Sequence, residues 1–193
     1  MPRWDEAHCL QLIQERQIRN SHVVPTMCVR LLRLPDDERA AFDPSSLGTV
    51  LHGAAPIAPT TKHKMIEWWG PIVYEYYSAT EANGATSIDA AEWLAHPGSV
   101  GRPIGNARFR ILDPETLEDL PLGEIGEIFM LPPSGPGSTY RYVGANARRT
   151  ADGWESVGDM GRLDTDGYLY LGDRRSDMIL SGGRNIYPAE VEA

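Results

Sequence analysis

The sequence has few cysteines, no cluster of basic residues and no long hydrophobic run, and each of these absences excludes a class of function. Its two cysteines, Cys9 and Cys28, lack the Cys-x-x-Cys or Cys/His spacing of a zinc site. The formal net charge is −9, which is unsuited to neutralising the phosphates of a nucleic acid. No apolar stretch approaches the roughly 20 residues that span a bilayer.

The amino terminus is polar and acidic, whereas a secretory signal is basic and then apolar. Two isolated cysteines are typical of a reducing compartment, where they behave as small core side chains. We therefore expect a cytoplasmic protein with no nucleic-acid partner and no membrane span.

Helical and strand patterns alternate in the first half of the sequence. Asp5 and Thr26 are placed to cap two helices, and a third helix is predicted over 59–69. Residues 49–52 predict a buried strand that runs into Gly53, and residues 72–77, mostly β-branched and aromatic, predict another. This order, with short connections, predicts an α/β layer with some parallel pairing.

From about residue 105 the pattern changes to short strands separated by turn signals such as Asp113-Pro114 and Asp166-Gly167. This spacing predicts an antiparallel sheet or a small barrel. The predicted fold class is therefore α/β, with a layered α/β subdomain at 1–104 followed by an antiparallel β-barrel-like subdomain at 105–175.

Two stretches of the first half place small, aromatic and acidic residues directly after a strand, where α/β proteins bind ligands. Gly53-Ala54-Ala55-Pro56 would let the backbone approach a flat ligand, and equally suits an ordinary tight turn. In Tyr77-Ser78-Ala79-Thr80-Glu81, a ring can stack on a base and a carboxylate can hold Mg²⁺. The alternatives are a core position for Tyr77 and a helix cap at Thr80 and Glu81.

Two stretches of the second half carry a fixed charge beside glycine. Asp159 follows Gly158 and can accept both hydroxyls of a ribose, although a hairpin aspartate is the alternative. The guanidinium of Arg174 suits a ribose or a phosphate. Gly182-Gly183, further along, provides backbone freedom where a chain bends or pivots.

Together and in this order, these stretches resemble the adenylate-forming superfamily of acyl- and aryl-CoA synthetases, luciferases and peptide-synthetase adenylation domains. The resemblance covers essentially the whole chain, and residues 181–188 (SGGRNIYP) are its most specific part. Residues 98–103 and 123–128 also match the pattern of that family. Within it, 76–81 and 181–188 are most similar to fatty-acid and related acid–CoA ligases.

The resemblance implies a ligase that forms a carbon–sulfur bond. A carboxylic or fatty acid would attack the α-phosphate of ATP, giving acyl-AMP and pyrophosphate, and the thiol of coenzyme A would then displace AMP. ATP or AMP, Mg²⁺ and coenzyme A are therefore the implied cofactors and co-substrate. Because no covalent enzyme nucleophile is needed, catalysis would consist of charge stabilisation and positioning.

The resemblance also implies roles for individual residues. Thr80 would contact the α-phosphate and Glu81 would coordinate Mg²⁺, while Tyr77 would stack on adenine. Asp159 and Arg174 would hold the ribose. The nucleotide side of the site would also include Gly53, Ala54, Ala55, Pro56, Tyr76 and Ser78. The wall of the acyl pocket would include Pro25, Ser78 and Ala79.

Two elements of the family pattern have no counterpart in this sequence: a phosphate loop ending in lysine, and a lid domain with its catalytic lysine. We therefore expect an interior piece of the large domain, inactive alone, whose partners are the missing N- and C-terminal segments of the enzyme. Residues 176–193 would form the hinge and the start of the lid, with Ser176 at the hinge position. Apolar surface exposed where those segments pack predicts self-association into a homo-oligomer.

Two other functions stay open from the sequence. The same missing elements would suit a non-catalytic nucleotide-binding or partner-binding remnant. The third candidate is an amino-acid adenylation domain that loads a carrier protein. Such domains usually carry an upstream aspartate for the α-amine, and a convincing counterpart is missing here.

Overall fold

The computed structural model describes residues 3–132, 134–144, 146–174, 179–181 and 184–186. The helices are α1 (Glu6–Glu15), α2 (Pro25–Leu32), α3 (Asp36–Ala41), α4 (Pro59–Trp69) and α5 (Ala90–Ala95). The strands are β1 (Asn20–Val23), β2 (Thr49–His52), β3 (Val73–Ser78), β4 (Ala85–Ile88), β5 (Ser99–Pro103), β6 (Arg108–Leu112), β7 (Gly126–Leu131), β8 (Arg148–Arg149), β9 (Glu155–Leu163), β10 (Leu169–Arg174), β11 (Ile179–Ser181) and β12 (Arg184–Ile186).

The chain forms two compact units that interleave along the sequence. The first contains the described residues up to Tyr76 together with Ile88–Gly98, and the second contains Tyr77–Ser87 and the described residues from Ser99 onward. The predicted subdomain boundaries at residues 104 and 175 stay predictions.

The sheet of the first unit is parallel, as the alternating pattern predicts. β1 pairs with β2 from Asn20↔Thr49 to Val23↔His52, and β2 pairs with β3 from Val50↔Val73 to His52↔Glu75. Parallel neighbours need crossover connections, which α2, α3 and α4 supply. The core of this unit includes Cys28, Leu31, Val50, Met65, Trp69 and Val73.

Capping residues explain the start of α1 and the end of α4 in the first unit. The Asp5 carboxylate accepts the backbone N–H of His8 at 2.8 Å, so the predicted cap of α1 is confirmed. α4 ends at Gly70, whose φ of 81° is left-handed. The predicted cap at Thr26 is wrong, because Pro25 opens α2 with its ring-fixed φ and no side chain caps that helix.

The second unit is an antiparallel sheet, which confirms the predicted change of architecture. Its strands follow the order β4-β5-β10-β9-β7-β6, with β8 paired to β9. The sheet is not closed into a barrel, because β6 pairs with β7 alone among the strands of the described chain. Its core includes Tyr77, Val100, Ile111, Ile128, Met130 and Leu169.

Strand β9 depends on a glycine in this core. A Cβ atom added at Gly161 would lie 2.5 Å from the carbonyl oxygen of Tyr170 and 2.9 Å from Cδ1 of Ile128. Real Cβ atoms essentially never come that close, so the approach of β10 to β9 requires glycine here.

Across the described parts of the chain, no helix is long and apolar enough to cross a membrane.

Candidate functional site

The turn between β3 and β4 carries Thr80 and Glu81 in the second unit. The hydroxyl of Ser78 donates to the carbonyl of Gly84 at 3.1 Å and closes the base of the turn. Ala82 adopts a left-handed φ of 53°, which reverses the chain between the strands. Thr80 is exposed and Glu81 is half-buried. Because a strand follows, the alternative of a helix cap at these two residues is wrong.

Tyr77 and Asp159 meet in the second unit although 82 residues separate them. The hydroxyl of Tyr77 donates to Oδ2 of Asp159 at 2.7 Å, and the ring, 9% exposed, belongs to the core of the unit. Asp159 lies within β9 and is half-buried. A carboxylate has about four acceptor positions, so this one can hold Tyr77 and still accept from a ligand hydroxyl.

Arg174 lies at the end of β10, where its backbone is in register with Asp159 of β9. The two residues predicted to hold a ribose are therefore neighbours on adjacent strands. The side chain of Arg174 and the hinge residue Ser176 lie outside the described part of the chain. Of the predicted hinge and lid segment at 176–193, the structure describes β11 and β12, which pair from Ile179↔Ile186 to Ser181↔Arg184.

The Gly53 loop lies at the carboxyl end of the parallel strands in the first unit. A Cβ atom at Gly53 would lie 2.6 Å from Cε1 and 2.8 Å from the carbonyl oxygen of Tyr76, so the close approach of Tyr76 to the loop requires glycine. Ala54 follows with a left-handed φ of 69°. The hydroxyl of Tyr76 lies 3.2 Å from Nε2 of His22 on β1. Ala54, Ala55 and Pro56 are exposed.

The predicted wall of the acyl pocket is divided between the units. Pro25 is buried at the start of α2 in the first unit. Ser78 and Ala79 belong to the second unit, where both are half-buried. The acyl pocket itself stays a prediction.

A buried ion pair that was not predicted from the sequence lies in the first unit. Nζ of Lys62 on α4 lies 2.6 Å from Oε2 of Glu75 on β3, and the two residues are 0% and 5% exposed. The same Nζ lies 4.9 Å from the ring centroid of Trp93, a cation–π contact. Nε2 of His52 on β2 lies 3.7 Å from the same carboxylate oxygen. We call Lys62, Glu75, His52 and Trp93 the buried charge cluster.

A helical period could have revealed this cluster. Lys62, Met65, Ile66 and Trp69 follow the i, i+3, i+4, i+7 spacing of one helix face, and all four are buried. A lysine on an apolar helix face needs a buried acidic partner, since an isolated buried charge is very costly. Glu75, inside β3, is that partner.

Burial shifts the protonation equilibria within the cluster. It lowers the pKa of Lys62 and raises the pKa of Glu75, while the attraction between the two charges acts in the opposite direction on each. Burial, reinforced by the charges of Lys62 and His22, lowers the pKa of His52 to about 3. His52 is therefore neutral at pH 7, and Lys62 has no protonated imidazole beside it.

The first unit should lose stability as the pH falls from 6.5 towards 3. The pKa of His52 is 6.5 in the unfolded chain and about 3 in the folded protein, so between these values the unfolded state takes up a proton that the folded state does not. At pH 5 this costs about 2 kcal/mol. Urea unfolding measures the free energy of unfolding at each pH. Between pH 7 and pH 5 this free energy should fall more in the wild type than in His52→Gln.

A matched control for that measurement is His63→Gln, because His63 is an exposed histidine on α4. It should keep the pH dependence of the wild type. If the wild type and His52→Gln lost the same free energy of unfolding between pH 7 and pH 5, the expected role of His52 would be contradicted.

The turn at Glu81 fits a magnesium–phosphate ligand. Mg²⁺ usually takes one or two protein carboxylates and completes its shell with phosphate oxygens and water. Within the described ranges, no group of three or more His, Cys, Asp and Glu residues could hold a metal ion. Asn83 is fully buried, and neither amide atom of its side chain has a hydrogen-bond partner in the structure. Such orphaned groups are expected where a ligand or ordered water binds.

Tyr142 contacts Glu81, and no pattern in the sequence indicates this contact because 61 residues separate the two. The hydroxyl of Tyr142 donates to Oε1 of Glu81 at 2.8 Å. Partial burial and then this hydrogen bond raise the pKa of Tyr142 to about 12, so the hydroxyl stays a donor at neutral pH. The ring of Tyr140 contacts that of Tyr142 edge-on, with centroids 4.9 Å apart. Both tyrosines line a cavity of about 570 Å³.

Comparison with protein-family models matches residues 1–143 to the AMP-binding enzymes. The chain is 37% identical over its whole length to a medium/long-chain fatty-acid–CoA ligase of Mycobacterium tuberculosis, of which it spans 34%. It is 34% identical to a 2-succinylbenzoate–CoA ligase of Enterococcus faecalis, with 98% of the chain aligned to 38% of the relative. The chain thus spans between a third and two fifths of the length of these relatives.

Solved structures give the same picture. An O-succinylbenzoate coenzyme A synthetase of Bacillus subtilis, in complex with ATP and magnesium ion, superposes with a TM-score of 0.82 at 30% identity. That match covers 100% of this chain and 39% of the solved one. An amide bond synthetase of Marinactinospora thermotolerans superposes with a TM-score of 0.86 at 26% identity, covering 99% and 39% respectively.

Proposed function

The chain belongs to the family of AMP-binding enzymes, and from that premise we propose that it provides the ribose-binding and magnesium-binding part of an acid–CoA ligase. The complete reaction would convert a carboxylic acid, ATP and coenzyme A into an acyl-CoA, AMP and pyrophosphate through an acyl-AMP intermediate. The relatives named above support a carboxylic acid as substrate, since they ligate fatty acids or 2-succinylbenzoate to CoA. As the chain spans about 34–38% of their length, the reaction is proposed for the whole enzyme.

The hydrogen bond between Tyr77 and Asp159 carries the proposal. It fixes the carboxylate of Asp159 on β9, beside the backbone of Arg174. A carboxylate held in one orientation can accept both hydroxyls of a ribose, which an unrestrained side chain would do at a greater entropic cost. Tyr77 would thus serve the ribose through its hydroxyl, in addition to the contact with adenine that the resemblance implies.

The turn at Thr80 and Glu81 would serve the phosphates. The exposed hydroxyl of Thr80 can donate to an oxygen of the α-phosphate, and the carboxylate of Glu81 can ligate the accompanying cation. When bound, Mg²⁺ would neutralise negative charge on the phosphates and so favour attack by the acid. The tight turn fixes both residues before the ligand arrives, which is the preorganisation that this kind of catalysis requires.

In the first unit we propose that Gly53, Ala54, Ala55 and Pro56 line the adenine, with Tyr76 packed against Gly53. The place of the loop supports the proposal, because ligands of α/β proteins bind at the carboxyl end of a parallel sheet. Pro25, Ser78 and Ala79 keep their proposed place beside the acyl group. A screen of carboxylic acids with the complete enzyme, following pyrophosphate release, would identify the substrate.

Replacing Asp159 by asparagine should weaken the binding of ATP to the 193-residue chain by about 10- to 100-fold, because hydrogen bonds to a charged group are worth that much. The substitution keeps the shape of the side chain and an acceptor for Tyr77. Calorimetric titration with ATP in the presence of magnesium would measure the change.

The matched control is Asp166→Asn, since Asp166 is exposed in the turn that follows β9. It should bind ATP as the wild type does. Equal affinities in Asp159→Asn and the wild type would contradict the ribose role. A wild-type chain that binds no ATP would favour a non-catalytic scaffold.

A further inference from the structure

We propose that Tyr142 is a positioning residue that holds the carboxylate of Glu81 in the orientation required by the divalent cation of a bound nucleotide. The inference rests on the magnesium role proposed for Glu81, and it adds a second residue to that site. Tyr142 would act through Glu81 and need not touch the cation or the nucleotide.

Glu81 would otherwise be held at one end only. The hydrogen bond from Ser78 to Gly84 and the left-handed Ala82 fix its backbone in the turn between β3 and β4. Its side chain has several rotatable bonds, and it is half-buried rather than packed in the core. The hydroxyl of Tyr142 donates to Oε1 at 2.8 Å and so fixes the far end of the Glu81 side chain. The carboxylate is thus restrained from both ends before any cation binds.

Tyr142 can act as a restraint because its own segment is anchored. The backbone N–H of Gly137 donates to Oε1 of Glu155 at 2.6 Å, and Nε of Arg149 donates to the same oxygen at 2.9 Å. Glu155 is fully buried in β9. Residues on both sides of Tyr142 are therefore tied to the core of the same unit, and the edge-on ring of Tyr140 supports Tyr142 between them.

The geometry favours positioning over competition with the cation. A single donor occupies one of about four acceptor positions on the carboxylate, so the oxygens keep room for a cation. The phenol is neutral and adds no positive charge that would repel it. Preordering a flexible side chain saves the entropy that would otherwise be lost on binding, so the hydroxyl should strengthen cation-dependent binding.

The test compares ATP binding with and without magnesium. The 193-residue chain is titrated calorimetrically with ATP in excess MgCl₂ and again in EDTA, and the ratio of the two dissociation constants gives the magnesium enhancement. Tyr142→Phe removes the hydroxyl and keeps the ring. We expect it to reduce the enhancement about fivefold and to leave the affinity in EDTA unchanged.

Two further variants separate positioning from a general structural role. Tyr170→Phe removes a hydroxyl from β10 of the same unit, where that hydroxyl bonds to Asp164, so its enhancement should equal that of the wild type. In the background of Glu81→Gln, which should itself abolish the enhancement, adding Tyr142→Phe should change nothing further.

Each remaining outcome contradicts the inference. An unchanged enhancement in Tyr142→Phe would show that the hydrogen bond has no positioning role, and a larger one would show that the hydroxyl competes with the cation. In both cases the proposed function survives, because the wild type still binds ATP with magnesium. A wild type without magnesium enhancement would overturn the role of Glu81 and that of Tyr142 together.

Discussion

Lys62→Met should lower the free energy of unfolding by about 3–5 kcal/mol, the usual cost of removing one partner from a buried ion pair. The carboxylate of Glu75 would remain 5% exposed and would lose both its hydrogen bond and its opposite charge. It would then have to take up a proton or admit water into the core. The cation–π contact with Trp93 would disappear at the same time.

Urea unfolding followed by tryptophan fluorescence would measure this loss, because four of the five tryptophans, Trp93 included, belong to the first unit. Lys64→Met is the matched control: the same substitution, on the same helix, at an exposed position. It should change stability by less than about 0.5 kcal/mol. The double variant Lys62→Met/Glu75→Leu should recover most of the loss, since an apolar pair often replaces a buried ion pair without cost. A loss below about 1 kcal/mol in Lys62→Met would contradict the ion pair.

Gly161→Ala should destabilise the second unit by about 1–3 kcal/mol, the range found for overpacked cores, and more if β9 cannot shift. The added methyl group would meet the backbone oxygen of Tyr170 at 2.5 Å, and that atom belongs to the neighbouring strand β10. A flexible side chain could rotate away from the methyl group, whereas a paired backbone has to move as a unit. The ladder between β9 and β10 would therefore be strained at its centre.

Gly172→Ala provides the comparison on the facing strand. A Cβ atom there would come no closer than 3.6 Å to its nearest neighbour, the carbonyl oxygen of Met160, which is ordinary contact. Its stability should stay within about 0.5 kcal/mol of the wild type. Urea unfolding followed by circular dichroism would report on both variants. Equal midpoints for the two would mean that β9 and β10 are less tightly packed than the structure shows.

The elements that the sequence predicted are those whose ends are encoded locally. Proline and glycine bound α4 at Pro59 and Gly70, and Asp5 caps α1 through its own side chain. The strands β2 and β6 follow from short strand patterns that end at the turn residues Gly53 and Asp113-Pro114. In each case the residues that decide the structure lie within a few positions of it, so a pattern is sufficient.

Strand β9 was not predicted, and its residues explain why. Gly158, Asp159 and Gly161 are typical of a turn, and the sequence analysis offered a hairpin aspartate as an alternative there. The strand forms because β7 and β10 pair with it on both sides. Pairing of this kind depends on tertiary context, which outweighs intrinsic strand preference.

The candidate site shows the same division. The sequence singled out Tyr77, Glu81 and Asp159 as separate members of a family pattern. The hydrogen bonds that join Tyr77 to Asp159 and Tyr142 to Glu81 span 82 and 61 residues, so they form only in the folded chain and have no local pattern. The roles of these residues towards nucleotide and cation stay predictions until the titrations are done.

The position of Trp93 in the chain has a consequence for synthesis on the ribosome. The first unit is interrupted by Tyr77–Ser87, and Trp93 is made 18 residues after Glu75. At usual elongation rates, about 1 to 4 s pass between the two. During that interval the amine of Lys62 and the carboxylate of Glu75 lack the indole that covers them in the folded protein. In the growing chain, the amine of Lys62 and the carboxylate of Glu75 should therefore stay hydrated until α5 has been synthesised and Trp93 can cover them.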